Sequence, residues 1–134
     1  MTPKHILLVD DEPAITRGVA YYLEREGYVV TAVETGGAAL AAVSGEHFDL
    51  IVLDLMLPDV SGLEITRRLK QNPQTADIPI VMLTANVVAE ARSEFAAAGL
   101  SDFLAKPIEA DKLCAILERW LPREKLLARE KPEG

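Results

Sequence analysis

Cysteine is nearly absent: Cys114 stands alone among 134 residues. One thiol excludes an intramolecular disulfide and any multi-cysteine metal site, and suits a reducing compartment. Histidine is almost as scarce, with only His5 and His47. We place His5 ahead of the first strand and His47 behind a helix, both on the surface, which argues against a zinc site. No apolar stretch approaches the roughly 20 residues of a membrane span. Met1 to His5 is not a charged segment leading into an apolar run with a cleavage site. These absences predict a cytoplasmic protein without membrane insertion. The net charge is −7, and the positive residues are scattered rather than striped. The chain therefore offers no electrostatic footprint for a phosphate backbone, and direct nucleic-acid binding is not expected. A glycine-rich phosphate loop is missing as well, since Gly36-Gly37 lacks the companions of a P-loop, and nucleotide and flavin readings fail with it.

What is present is an alternation of short apolar runs with helix-period segments. At this length one core, and so one fold, must carry the chemistry. Ile6 to Val9, Tyr28 to Val33, Leu50 to Leu53, Ile78 to Leu83 and Phe103 to Ala105 read as strands. Three of them are almost wholly apolar, as strands buried on both faces should be. Helices are predicted near 13–26, 36–45, 62–71, 87–98 and 109–121, each long enough for the crossover that parallel strands require. Ile15, Val19, Tyr22 and Leu23 share one face of the first, and Leu113, Ile116, Leu117 and Trp120 one face of the last. Gly27, Gly45 and Gly99 each follow a helical stretch and are expected to close it in the left-handed conformation. Right-handed crossovers then give an α/β, doubly wound (βα)5 sheet with helices on both faces. The segment from Pro122 to Gly134 mixes charges with proline and glycine and reads as a tail or linker, its only apolar handle being Leu126 and Leu127. The predicted division is 1–121 for the folded domain and 122–134 for the tail.

In an open parallel sheet, ligands bind outside the carboxyl ends of the strands. Four of the five strands end in polar residues: the first in Asp10, Asp11 and Glu12, the third in Asp54, the fourth in Thr84, the fifth in Lys106 followed by Pro107. Singly, each has a plain structural explanation as a cap, a turn residue or a solvated lysine. Together they converge if the strand order is 2-1-3-4-5, and clustered carboxylates repel unless a cation sits among them. Mg2+ fits, because it takes one or two carboxylates, waters and a phosphate oxygen rather than a full protein cage.

The segments Leu7-Leu8-Val9-Asp10-Asp11-Glu12, Asp54-Leu55-Met56-Leu57-Pro58-Asp59 with Gly62, Leu83-Thr84-Ala85 and Lys106-Pro107 closely resemble receiver domains of bacterial two-component response regulators. The resemblance spans roughly residues 4–121 and implies a flavodoxin-like fold of strand order 2-1-3-4-5. It implies that Asp54 is the phosphoacceptor, that Asp10, Asp11 and Asp54 hold Mg2+ together with the backbone carbonyl of Met56, and that Asp11 is the more direct ligand. Thr84 would bond the phosphoryl group, Lys106 would pair with it, and the Lys106–Pro107 peptide would be cis. Thr84 and Phe103 would form the switch. The donor would be a histidine kinase or a histidine phosphotransfer protein. The output would be a protein partner or a homodimer engaged through the fourth helix, fifth strand and fifth helix, with Arg92 and Glu94 setting charge complementarity. Met56 and Asn86, two positions beyond Asp54 and Thr84, are expected to tune phosphoryl lifetime.

Other readings remain open at this level. A phosphatase or phosphotransferase with an aspartyl-phosphate intermediate could use the same nucleophile and metal. Against it, haloacid-dehalogenase-like enzymes place a second aspartate two residues after the nucleophile, whereas Asp54 is followed by Leu55 and Met56, and no cap domain is evident. A receiver-like module that has lost its response to phosphate is a third possibility. The setting is equally open: a single-domain regulator, a linker to an output domain, or a piece of a hybrid kinase, toward which Thr84-Ala85-Asn86 and Lys106-Pro107-Ile108 lean.

Overall fold

Residues 3–85 and 89–121 are described by the computed structural model. The chain runs β1 (His5–Val9), α1 (Pro13–Arg25), β2 (Val29–Val33), α2 (Gly36–Gly45), β3 (Leu50–Asp54), α3 (Gly62–Gln71), β4 (Ile80–Thr84), α4 (Ala89–Ala98), β5 (Asp102–Ala105) and α5 (Ala110–Trp120). All strands are parallel, in the order β2-β1-β3-β4-β5. This is the doubly wound arrangement that the alternation predicts, in the flavodoxin-like strand order that the resemblance implies.

Alternation along the strands divides the core in two. Ile6 and Leu8 face one way, onto Val19 and Leu23 of α1 and Leu113, Ile116 and Leu117 of α5. Leu7 and Val9 face the other way, onto Ala39 of α2 and Ile65 and Leu69 of α3. Every residue of β3 and β4 is buried. Each such Leu, Ile or Val contributes about 1.5–3 kcal/mol by leaving water, and a one-residue slip would exchange the two faces, so register is fixed by burial. β2 lies at an edge and is only partly covered.

Three details differ from the sequence reading. β4 begins at Ile80 rather than Ile78, because Pro79 has no N–H for the ladder and only its carbonyl bonds, accepting from Ile51 N at 3.0 Å. Gly27 and Gly99 have φ of 97° and 108° and close α1 and α4, but Gly45 is the last residue of α2 and is not in the left-handed region. The helix instead ends on Glu46, whose extended backbone carries the chain away. His5 belongs to β1, half-buried, with its ring 4.4 Å from Phe48 and Nε2 2.7 Å from Thr31 Oγ1; only His47 is a surface residue. The expected tail 122–134, Asn86, and the side chains of Arg92 and Glu94 lie outside the described residues.

A candidate metal centre at the carboxyl edge of the sheet

Parallel register aligns the strand ends. Val9 pairs with Leu53, Asp54 with Leu83, and Thr84 with Ala105, so Asp10, Asp54, Thr84 and Lys106 emerge side by side. Backbone bonds fix these exits: Asp10 N donates to Val33 O at 3.1 Å, Leu55 N to Leu83 O at 3.0 Å, and Lys106 N to Thr84 O at 2.9 Å. The Lys106–Pro107 peptide bond is cis. Behind Asp54, α3 starts almost in contact with the strand. A Cβ on Gly62 would lie 2.6 Å from the carbonyl oxygen of Asp54 and 3.0 Å from Leu55 Cα, so only glycine fits there.

Three carboxylates, from Asp10, Glu12 and Asp54, each bring an oxygen within 4.8 Å of the others. Asp10 is wholly buried, Asp54 is 4 % exposed, and Lys106 closes the group from β5. Its Nζ lies 2.8 Å from Glu12 Oε1, 3.1 Å from Asp10 Oδ2 and 3.3 Å from Asp54 Oδ2. Asp10 Oδ1 accepts from Glu12 N at 2.9 Å, and Asp54 Oδ1 from Met56 N at 3.2 Å. Burial pushes the Asp54 carboxyl above the usual carboxylate range. The Met56 N–H opposes that rise, the Asp10 charge adds to it, and Lys106 again opposes it. Burial alone would lower Lys106, but its hydrogen bond with Glu12, the close ion pair with Asp10 and the charge of Asp54 outweigh it, so the ammonium holds its proton more tightly than an ordinary lysine.

The residues fit a hard divalent cation. The donor set is all oxygen, three carboxylates face one ammonium, and buried Asp10 Oδ2 accepts no well-formed hydrogen bond although Lys106 sits beside it as an ion pair. Asp10, Asp54 and Lys106 are thus brought together as the sequence suggested, and Thr84 is buried at the adjoining strand end. Asp11 is exposed and outside the group of three. Glu12 takes a place in the group that sequence reasoning did not assign to it. Its signal was the unbroken acidic run at the end of β1, but contact with a lysine 94 positions away is not legible locally. Met56 has a 76 % exposed side chain, and Phe103 is half-buried with its ring 5.5 Å from that of Phe95.

The pattern that defines the response regulator receiver domain matches residues 6–118. The chain is 40 % identical over 125 residues to the phosphate regulon transcriptional regulatory protein PhoB of Rhizobium meliloti, covering 93 % of this chain and 55 % of that protein. It spans about half the length of the curated relatives it matches. Among solved structures, chemotaxis protein CheY4 of Vibrio cholerae aligns with a TM-score of 0.85 and 31 % identity, over 89 % of this chain and 99 % of that one. The receiver domain of sensor histidine kinase PA1611 from Pseudomonas aeruginosa PAO1, described with a magnesium ion coordinated in its active site cleft, aligns with a TM-score of 0.82 and 34 % identity, over 90 % and 99 % of the two chains. Strand order, the acidic group with its lysine, and a family match over most of the sequence agree: the chain belongs to the response regulator receiver domains of two-component systems.

Proposed function

We propose that this domain, residues 1–121, is a phosphorylation-dependent switch that accepts a phosphoryl group on Asp54. The observation that carries this reading is a carboxylate at a strand end, 4 % exposed, grouped with two further carboxylates and with a lysine ammonium 3.3 Å from its Oδ2. Asp10, Asp11 and Asp54, with the carbonyl of Met56, would hold Mg2+, which neutralises charge on the transferring oxygens. Asp54 attacks phosphorus, the bond to the donor breaks, and the leaving group departs with the electron pair. The donor class is a histidine kinase or histidine phosphotransfer protein. Lys106 pairs with the arriving dianion and Thr84 donates to it, which gives the two states differential contacts. Catalysis of this kind needs positioning and charge neutralisation rather than an acid or base, so the domain regulates without turning over a separate substrate.

Thr84 and Phe103 form the switch, and the output surface is α4, β5 and α5, taking a protein partner or a second copy. Relatives named as transcriptional regulators support a DNA-binding effector as what this surface addresses, while the acidic receiver itself stays off nucleic acid. Among the described residues no helix is long and apolar enough to cross a membrane. The expected result of incubation with Mg2+ and acetyl phosphate is one added phosphoryl group in the intact mass, absent in Asp54→Asn and absent on chelation. Equal labelling of both proteins would overturn the assignment.

A further inference from the structure

Glu12 occupies the N-cap of α1, but its carboxylate makes no capping bond. An acid at that place ordinarily accepts from the first-turn N–H groups. Instead the side chain crosses the mouth of the site to Lys106, and 2.8 Å is the shortest of the three carboxylate contacts of that ammonium. The three partners differ in burial. Asp10 and Asp54 are fixed beneath Lys106 at the strand ends, whereas the Glu12 side chain is 59 % exposed and stays in contact with solvent. Lys106 is only 16 % exposed, so the ammonium has little water to turn to. A lysine head is a compact charge with three donors, and three carboxylates already surround it. To make a short charge-assisted bond to a dianion on Asp54, it must loosen one of them.

We propose that Glu12 is a positioning residue, an electrostatic latch that holds Lys106 at the outer rim of the site and competes with the phosphoryl group of Asp54 for it. The competition half of this proposal rests on the phosphoacceptor reading; the latch itself does not. Exchange of ion-pair partners is the whole of the step, with no covalent bond made or broken. Because Glu12 is the solvent-facing partner, it is the one that can swing away into water while Asp10 and Asp54 stay in place. The latch sets how readily the resting domain gives way to the phosphorylated one.

The test compares wild type, Glu12→Gln, which removes the charge, and Glu12→Asp, which keeps the charge but is one methylene too short to span the same gap. Without metal or donor, the nitrogen-15 signal of the Lys106 ammonium reports the latch directly, and its proton exchange should quicken in both variants. At saturating Mg2+, the beryllofluoride concentration for half-conversion should fall in both by about two- to five-fold, the range of a partly exposed ion pair. An unchanged ammonium signal in the two variants overturns the latch whatever happens at Asp54. If Glu12→Asp titrates like wild type while Glu12→Gln does not, general charge rather than contact governs the site, and the proposal fails. If wild type takes up no beryllofluoride while the ammonium responds, the phosphoacceptor reading falls and the competition falls with it.

Discussion

Two aspartates placed at strand ends meet opposite fates. Asp54 closes β3 at the carboxyl edge; it is buried against Asp10, and its carboxyl is pushed up. Asp102 opens β5 at the far edge. Burial acts on it in the same direction, yet the Trp120 Nε1–H, the Phe103 N–H and the Arg119 guanidinium more than compensate and hold its carboxyl below the usual range. Its Oδ1 accepts from Phe103 N at 2.8 Å, and its Oδ2 takes Trp120 Nε1 at 3.0 Å together with Arg119. Asp102 has three donors to itself, while Asp10, Glu12 and Asp54 share one ammonium. A satisfied carboxylate builds structure; an under-satisfied one stores capacity for a ligand.

The largest expected effect tests the satisfied side. Asp102→Ala leaves the half-buried indole N–H without its acceptor and should cost about 2 kcal/mol, the loss of hydrogen bonds to a charged group. That corresponds to a melting temperature lower by about 8 °C for a domain of this size. Trp120 is the only tryptophan, so its fluorescence should shift to the red in the folded variant. A carboxyl with a lowered pKa contributes stability that is complete above its ordinary value and is lost as pH falls through the lowered one. The gap between wild type and Asp102→Asn should therefore be constant near neutrality and close below about pH 3.8. A gap that persists unchanged in acid would mean that packing, not charge, holds this corner.

The opposite sign is expected at the site. Asp54→Asn removes one of three crowded carboxylates and should raise stability by about 1 kcal/mol without metal at pH 7. With its raised pKa, Asp54 holds its proton in the folded state at a pH where the unfolded chain has released it. Wild-type stability therefore falls as pH rises from the ordinary value of 3.8 through the raised one, and the advantage of the variant should grow across that window and vanish below it. Mg2+ should stabilise wild type more than the variant and narrow the difference. Thermal melts at several pH values, with and without the metal, check both halves. A less stable Asp54→Asn without metal would erase the contrast with Asp102.

What the sequence made legible follows the range of each interaction. Periodicity and apolar runs expose the strands and the two helical faces, because the opposite facing of Leu7 and Leu8 is decided within one strand. Strand ends expose Asp10, Asp54, Thr84 and Lys106, because parallel topology brings such ends together. Contacts that depend on where a side chain turns stay hidden: Glu12 toward Lys106, and Asp102 toward Arg119 and Trp120. Gly45 shows the same limit in the backbone, since a glycine after an alanine-rich run looks like a closing residue whether or not the chain turns left-handed there.

The smallest effect belongs to a third aspartate, five positions beyond Asp54, which sharpens the comparison because it is exposed. Asp59 Oδ1 accepts from Gly36 N and Oδ2 from Gly37 N, each at 2.9 Å, and Oδ1 also accepts from Val60 N at 2.8 Å. The N–H groups of Gly37 and then Gly36 hold its carboxyl below the usual range. Its carboxylate thus caps α2 from another loop, while Thr35 Oγ1 takes the next free donor, Ala38 N, at 3.0 Å. Asp59→Asn puts an NH2 where one carboxylate oxygen stood, and that NH2 cannot accept. One of the two glycine amides must then turn to water, which is available because the site is open. Amide exchange at Gly36 or Gly37 should quicken in the variant while Ala38, capped by Thr35, is unmoved. In wild type the same quickening should appear as pH falls through the lowered Asp59 value, after correction for intrinsic exchange. If Ala38 changes together with the glycines, Asp59 holds the whole first turn of α2 rather than two of its donors, and the division of labour between Asp59 and Thr35 is wrong.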